Sequence, residues 1–131
     1  MGREWRVEMQ GHQDLVVWQK SMDLVVEIYR LTRTFPKSET YGLSSQLQRA
    51  AVSIPSNIAE GQALKQTPAY MRHLSIASGS VAELETQIEI ARRLGYLPVE
   101  CKPLFQRMNE VGRLLSGLRR SLRERVHDAA A

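Results

Sequence analysis

The residues of this 131-residue chain with acid–base, nucleophilic or metal-binding chemistry are few: three histidines, one cysteine and a scatter of carboxylates. Glu83, Glu85 and Glu89 share one segment and Glu60 closes another. A two-metal helical bundle would need Glu-x-x-His from two helices and further glutamates from the others. The chain has that spacing once, at Glu124 and His127 near its C-terminal end, so no metal is expected. Nucleophilic catalysis needs a base beside the nucleophile. Here His12, His73 and His127 are far apart in sequence, and Cys101 stands among prolines. Ser53, Ser56 and Asn57 crowd around Pro55 like a polar active-site cluster. Near a proline, however, such side chains commonly bond freed backbone carbonyls or a facing helix. The expectation is no enzyme and no cofactor.

The basic residues carry a stronger pattern. Arg113, Arg119, Arg120, Arg123 and Arg125 are opposed within their own stretch only by Glu124. On a helix Arg113, Arg120 and Arg123 fall in one broad arc, with Arg119 beside Arg123 at the four-residue spacing. Such an arc can bind phosphates. It can equally be a solvated helix end whose cations complement the helix dipole. No aromatic residue interleaves with the arginines, so base stacking on them is not suggested. The net charge of +4 and pI near 9.6 are compatible with a polyanionic partner without demanding one.

These side chains must be positioned by a single domain, since 131 residues with 43% hydrophobic content suffice for one core. One cysteine rules out an internal disulfide, and no apolar run reaches signal-peptide or membrane-spanning length. A cytoplasmic, non-membrane protein is therefore expected. Residues 1–11 lack periodicity and are expected to be a loosely ordered lead-in, and residues 127–131 a frayed tail around a bundle over 12–126.

From Asp14 the period becomes helical. Leu15, Trp18, Met22, Val25 and Tyr29 form one stripe and Val17, Leu24, Ile28, Leu31 and Phe35 a second. Two stripes imply either a broad core face or a core plus a subunit interface. Val17, Leu24, Ile28 and Leu31 are the candidate interface residues, and charged replacement of Val17 or Ile28 is expected to reduce assembly size. The same change at Leu47 or Leu84 is expected to unfold the chain.

The second helix carries Leu43, Leu47, Ala51, Ile54 and Ile58, contains Pro55, and is expected to stop at Gly61 in a left-handed turn. Thr67-Pro68 marks the start of a third, with the threonine hydroxyl as cap and Tyr70, Leu74, Ala77, Val81, Leu84, Ile88 and Ala91 as its stripe. Arg92, Arg93 and Gly95 end it. The fourth, starting at Pro98 or at Pro103, carries Leu104, Met108, Val111, Leu115, Leu118 and Leu122. No strand pattern competes, and the fold class is all-α, an up-down antiparallel four-helix bundle.

Particular strings add a family resemblance. His12 to Lys20, Phe35-Pro36, Glu39 with Tyr41-Gly42-Leu43, Gln46-Leu47, Arg49-Ala50-Ala51, Ser53 to Gly61, Ile76-Ala77, Gly79-Ser80 and Glu83-Leu84 occur in this order. Over about residues 12 to 122 the chain resembles the small bacterial helical-bundle proteins encoded within intervening sequences of 23S ribosomal RNA genes. That resemblance implies a ring-like homopentamer, and no enzyme. A related branch, the accessory proteins of diversity-generating retroelements, forms a basic pentameric barrel that binds nucleic acid and a reverse transcriptase. Within the motif the candidate structural residues are Ser53, Pro55, Asn57, Glu60 and Gly61. The leading expectation is an oligomer binding structured RNA or DNA through Arg113, Arg119, Arg120, Arg123 and Arg125. The alternative is an adaptor oligomer for a protein partner such as a reverse transcriptase.

Overall fold

The computed structural model describes residues 11–12 and 15–130. The lead-in expected for residues 1–11 lies, apart from Gly11, outside them. The described residues form four helices and no strand: α1 (Val16–Thr32), α2 (Leu43–Leu64), α3 (Thr67–Arg93) and α4 (Lys102–Ala130), with a 3-10 turn at Lys37–Glu39. Each helix packs on its neighbour in the chain and α4 returns to α1, which closes the arrangement of a four-helix bundle. Leu24, Ile28, Leu47, Ile54, Leu74, Leu84, Met108 and Leu115 fill its centre.

The two stripes of α1 take the opposite parts from those expected. Val17, Leu24 and Ile28 are buried in the core and Leu31 is packed against it, so they are not available to a partner subunit. The exposed stripe is the other one: Met22, Val26 and Tyr29 are 39%, 48% and 40% exposed, with Trp18 and Val25 half-buried between them and the core. Both stripes have the same period, and what decides between them is the rotation of α1 against α2 and α4. Charged replacement of Val17 or Ile28 is thus a core lesion like that of Leu47 or Leu84.

At one end of the bundle Glu39 ties two connections together. Its Oε1 accepts the backbone N–H of Leu43 (3.1 Å), capping α2, and its Oε2 accepts the Tyr96 hydroxyl (2.9 Å) from the α3–α4 connection. The Tyr96 ring packs on the buried Phe35 with centroids 5.3 Å apart. The bond to Glu39 raises the Tyr96 phenol above its usual range. Gly42 belongs to the same device, since a Cβ there would meet Glu39 Oε1 at 2.9 Å and displace the capping carboxylate.

The helix limits differ from expectation in three places. Gly61 does not stop α2, which continues to Leu64 and ends at Lys65 with φ 55. Thr67 is the first residue of α3 and makes no side-chain cap; Pro68 in that first turn lacks the N–H that would otherwise go unpaired. The tail expected at 127–131 is helical through Ala130. Of the two prolines before α4, Pro103 lies in its first turn and Pro98 in the connection.

Gly61 serves close approach instead. A Cβ at this buried position would lie 2.9 Å from His73 Cβ, 2.9 Å from Tyr70 Cδ1 and 3.3 Å from Tyr70 Cα. Tyr70 Cα and His73 Cβ are at or next to the α3 backbone, which cannot swing aside. Gly61→Ala therefore sets an overpacking cost of about 1–3 kcal/mol against a helix-propensity gain of about 1 kcal/mol. Packing outweighs propensity over most of that range, and chemical denaturation should show a net loss of up to about 2 kcal/mol. A more stable alanine variant would show that α2 and α3 are not in this contact.

Candidate nucleic-acid interface

The face that α4 offers to a partner is fixed by the face it buries. Leu104, Met108, Val111, Leu115 and Leu122 lie in the core. At 3.6 residues per turn, Arg113, Ser116, Arg120 and Arg123 then point away from it, and all four are exposed. Arg119 sits at the border, half-buried, and crosses to α3: its Nη1 donates to Ser78 Oγ (3.3 Å) and its Nη2 to Ser75 Oγ (3.2 Å). Arg125 is exposed as well, but on the side of α4 roughly opposite the other arginines. The structure thus brings together four of the five expected arginines and leaves Arg125 apart.

Between α3 and α4 lies an open cleft of about 600 Å³ whose walls include Arg113, Arg119 and Arg120. Its floor is made of small residues, Ser78 and Ala82 on α3 and Gly112, Ser116 and Gly117 on α4. A Cβ at Gly79 or Gly117 would meet nothing within 4 Å, so these glycines leave open space at the surface and are not needed for helix contact. One carboxylate, Glu85, lines the cleft.

Four other cations of the chain are ion-paired. Lys20 pairs with Glu110 at 3.4 Å and Arg107 with Glu27 at 2.8 Å. Arg92 and Arg93 share Glu89 at 2.7 and 3.0 Å, and their bonds pull its carboxyl down to about 2. Among the described residues none of Arg113, Arg119, Arg120, Arg123 and Arg125 has a carboxylate partner.

The motif around Pro55 has a different geometry. Asn57 Nδ2 donates to Ser53 O (2.8 Å) and to Ser53 Oγ (3.0 Å), which leaves Asn57 Oδ1 as an acceptor 3.0 Å from His73 Nδ1. His73 Nδ1 must therefore carry a proton. Ser80 Oγ donates to Ser53 Oγ at 2.8 Å, and Glu60 lies 3.8 Å from His73 Nδ1. Ser53 Oγ thus faces an amide and another serine, with no base in reach. The network joins α2 to α3. His73, Ser80 and Gln87 recur on α3 every seven residues along this seam. Gln87 Oε1 and the Tyr70 hydroxyl are buried without a partner among the described residues, and burial pushes the Tyr70 phenol up. Pro55 is buried within α2 and Ser56 is exposed, outside the network.

Sequence reasoning missed Ser75 and Ser78 as partners of Arg119. Their only signal was a run of small residues in α3, which reads equally well as helix-contact surface. Among the described residues no group of three His, Cys, Asp or Glu side chains could hold a metal ion, and no helix is long and apolar enough to cross a membrane.

Comparison with known proteins bears on the same segments. The profile of the family described as 23S rRNA-intervening sequence protein matches residues 13–117. This chain belongs to that family. The chain is also similar to a crystal structure from Bacteroides thetaiotaomicron of a protein with unknown function from the S23 ribosomal protein family. The two are 25% identical with a TM-score of 0.70, over 79% of this chain and 97% of the other. No curated protein matches the sequence. The family match runs from before α1 into α4 and takes in the Ser53–Gly61 segment, Arg113 and the whole cleft floor, while Arg119 to Arg125 lie beyond it.

The polar seam has a structural consequence. Asn57→Ala removes the acceptor of a largely buried His73 N–H and both donors to Ser53, at a cost of about 1–3 kcal/mol. Urea denaturation should show that loss, and a variant as stable as its parent would contradict the network.

Proposed function

We propose that this member of the 23S rRNA-intervening sequence protein family is a non-catalytic, cytoplasmic, self-associating bundle that binds structured RNA or DNA through the arginine face of α4. The observation that carries the reading is that Arg113, Arg119, Arg120 and Arg123 share one face of α4 without a carboxylate partner among the described residues, and that the first three line one cleft. Binding to phosphates releases counterions and is therefore salt-dependent. With three or four phosphate contacts per chain, affinity for a duplex should fall by about two orders of magnitude between about 50 and 200 mM salt. Anisotropy titration of a labelled RNA hairpin checks this. No binding at low salt, or binding indifferent to salt, would overturn the reading.

Self-association as a ring-like homopentamer is the second part of the proposal. It draws on the family resemblance and on the exposed apolar stripe of α1, including Met22, Val26 and Tyr29. Repeating the arginine face around a ring would raise avidity without new contacts. Replacing Met22 and Val26 together by glutamate should give a smaller assembly in light scattering while helicity is retained. If the assembly size does not change, this stripe is not the subunit interface. The same stripe would serve the alternative reading, an adaptor for a protein partner such as a reverse transcriptase. A pull-down that keeps its partners after nuclease treatment would favour that reading.

A further inference from the structure

We propose that Ser75 and Ser78 pre-position Arg119 as the fixed member of a phosphate-binding trio with Arg113 and Arg120, so that the cleft takes the backbone of a duplex without reading its bases. This rests on the nucleic-acid reading and specifies which groups form the site and what chemistry it ignores. Arg119 reaches across the cleft to two hydroxyls three residues apart on α3, at 3.3 Å from Ser78 Oγ and 3.2 Å from Ser75 Oγ. Residues at that spacing lie on the same side of a helix, so the two oxygens meet the two ends of one guanidinium.

The chemistry of the holding groups is what distinguishes this arginine. Arg92, Arg93 and Arg107 are held by Glu89 and Glu27, which orient them and offset part of their charge. Serine hydroxyls orient without cancelling. Each hydroxyl that accepts from Arg119 also keeps its own proton to donate to an anion. A half-buried guanidinium held this way loses less side-chain freedom on binding than the exposed Arg113 and Arg120.

The floor decides what part of a nucleic acid is recognised. Proteins that bind single strands stack bases on aromatic side chains, and no aromatic residue lines this cleft. Gly112, Ser116 and Gly117 offer close approach instead. Glu85 stands on the α3 wall and repels phosphate there, which directs the backbone toward the arginines of α4.

The test compares the full-length protein with S75A/S78A, R119A and R125A by anisotropy on a duplex RNA, a duplex of different sequence and a single strand of equal length. Alanine is the better helix former, so S75A/S78A keeps α3, and circular dichroism verifies each variant. S75A/S78A should bind about two- to tenfold more weakly with the salt slope unchanged, because no charge is lost. R119A should weaken binding and flatten the slope by about one. R125A should bind like the wild type, and both duplexes should bind alike. Wild-type affinity in S75A/S78A overturns the pre-positioning while leaving the nucleic-acid reading intact. Preference for the single strand or for one duplex sequence overturns backbone recognition. Failure of the wild-type protein to bind any of the three overturns the parent reading itself.

Discussion

The close contact between Gly61 of α2 and the Tyr70–His73 turn of α3 sets the geometry on which the rest depends. With a Cβ excluded at position 61, the two backbones approach until His73 and Ser80 face Asn57 and Ser53. Buried polar groups cost little only when paired, so the His73–Asn57 and Ser80–Ser53 bonds favour this register and rotation of α3. That rotation turns Leu74, Ala77, Val81, Leu84 and Ile88 into the core. It then leaves Ser75, Ser78 and Ala82 toward α4, where the cleft forms. The seam that looks like an active site thus acts at a distance, by holding the wall of another site.

The surface of α4 follows from the same constraint. Its apolar stripe must meet the core, which leaves arginine, serine and glycine on the outward face. Three carboxylates pair with cations away from the α4 arginine face: Glu27 with Arg107, Glu110 with Lys20 and Glu89 with Arg92 and Arg93. Unneutralised guanidiniums on a rigid helix, with small residues between them, suit a phosphate backbone, which is regular and presents its charge outward.

Helix number, type and most of the core could be read from periodicity, because each stripe persists over several turns: Leu104 to Leu122 on α4 and Leu74 to Ala91 on α3 lie where the pattern puts them. The arginine arc was legible for the same reason. Choices between equivalent patterns were not. The two stripes of α1 share a period, so only the packed structure shows that Val17, Leu24 and Ile28 face inward and Met22 and Val26 outward. A glycine near a helix end reads as a left-handed stop, and only the proximity of Tyr70 and His73 reveals Gly61 as a contact glycine. The bonds from Arg119 to Ser75 and Ser78 join residues more than forty positions apart, beyond any local pattern.

The most direct measurement is arginine modification by phenylglyoxal, mapped by peptide mass spectrometry with and without bound duplex RNA. The account predicts protection of Arg113, Arg119, Arg120 and Arg123, with Arg125 and the exposed Arg30 and Arg49 reacting as in the free protein. Protection of Arg30 or Arg49 with Arg113 and Arg120 still reactive would contradict it, because the nucleic acid would then lie on α1 and α2 rather than along α4.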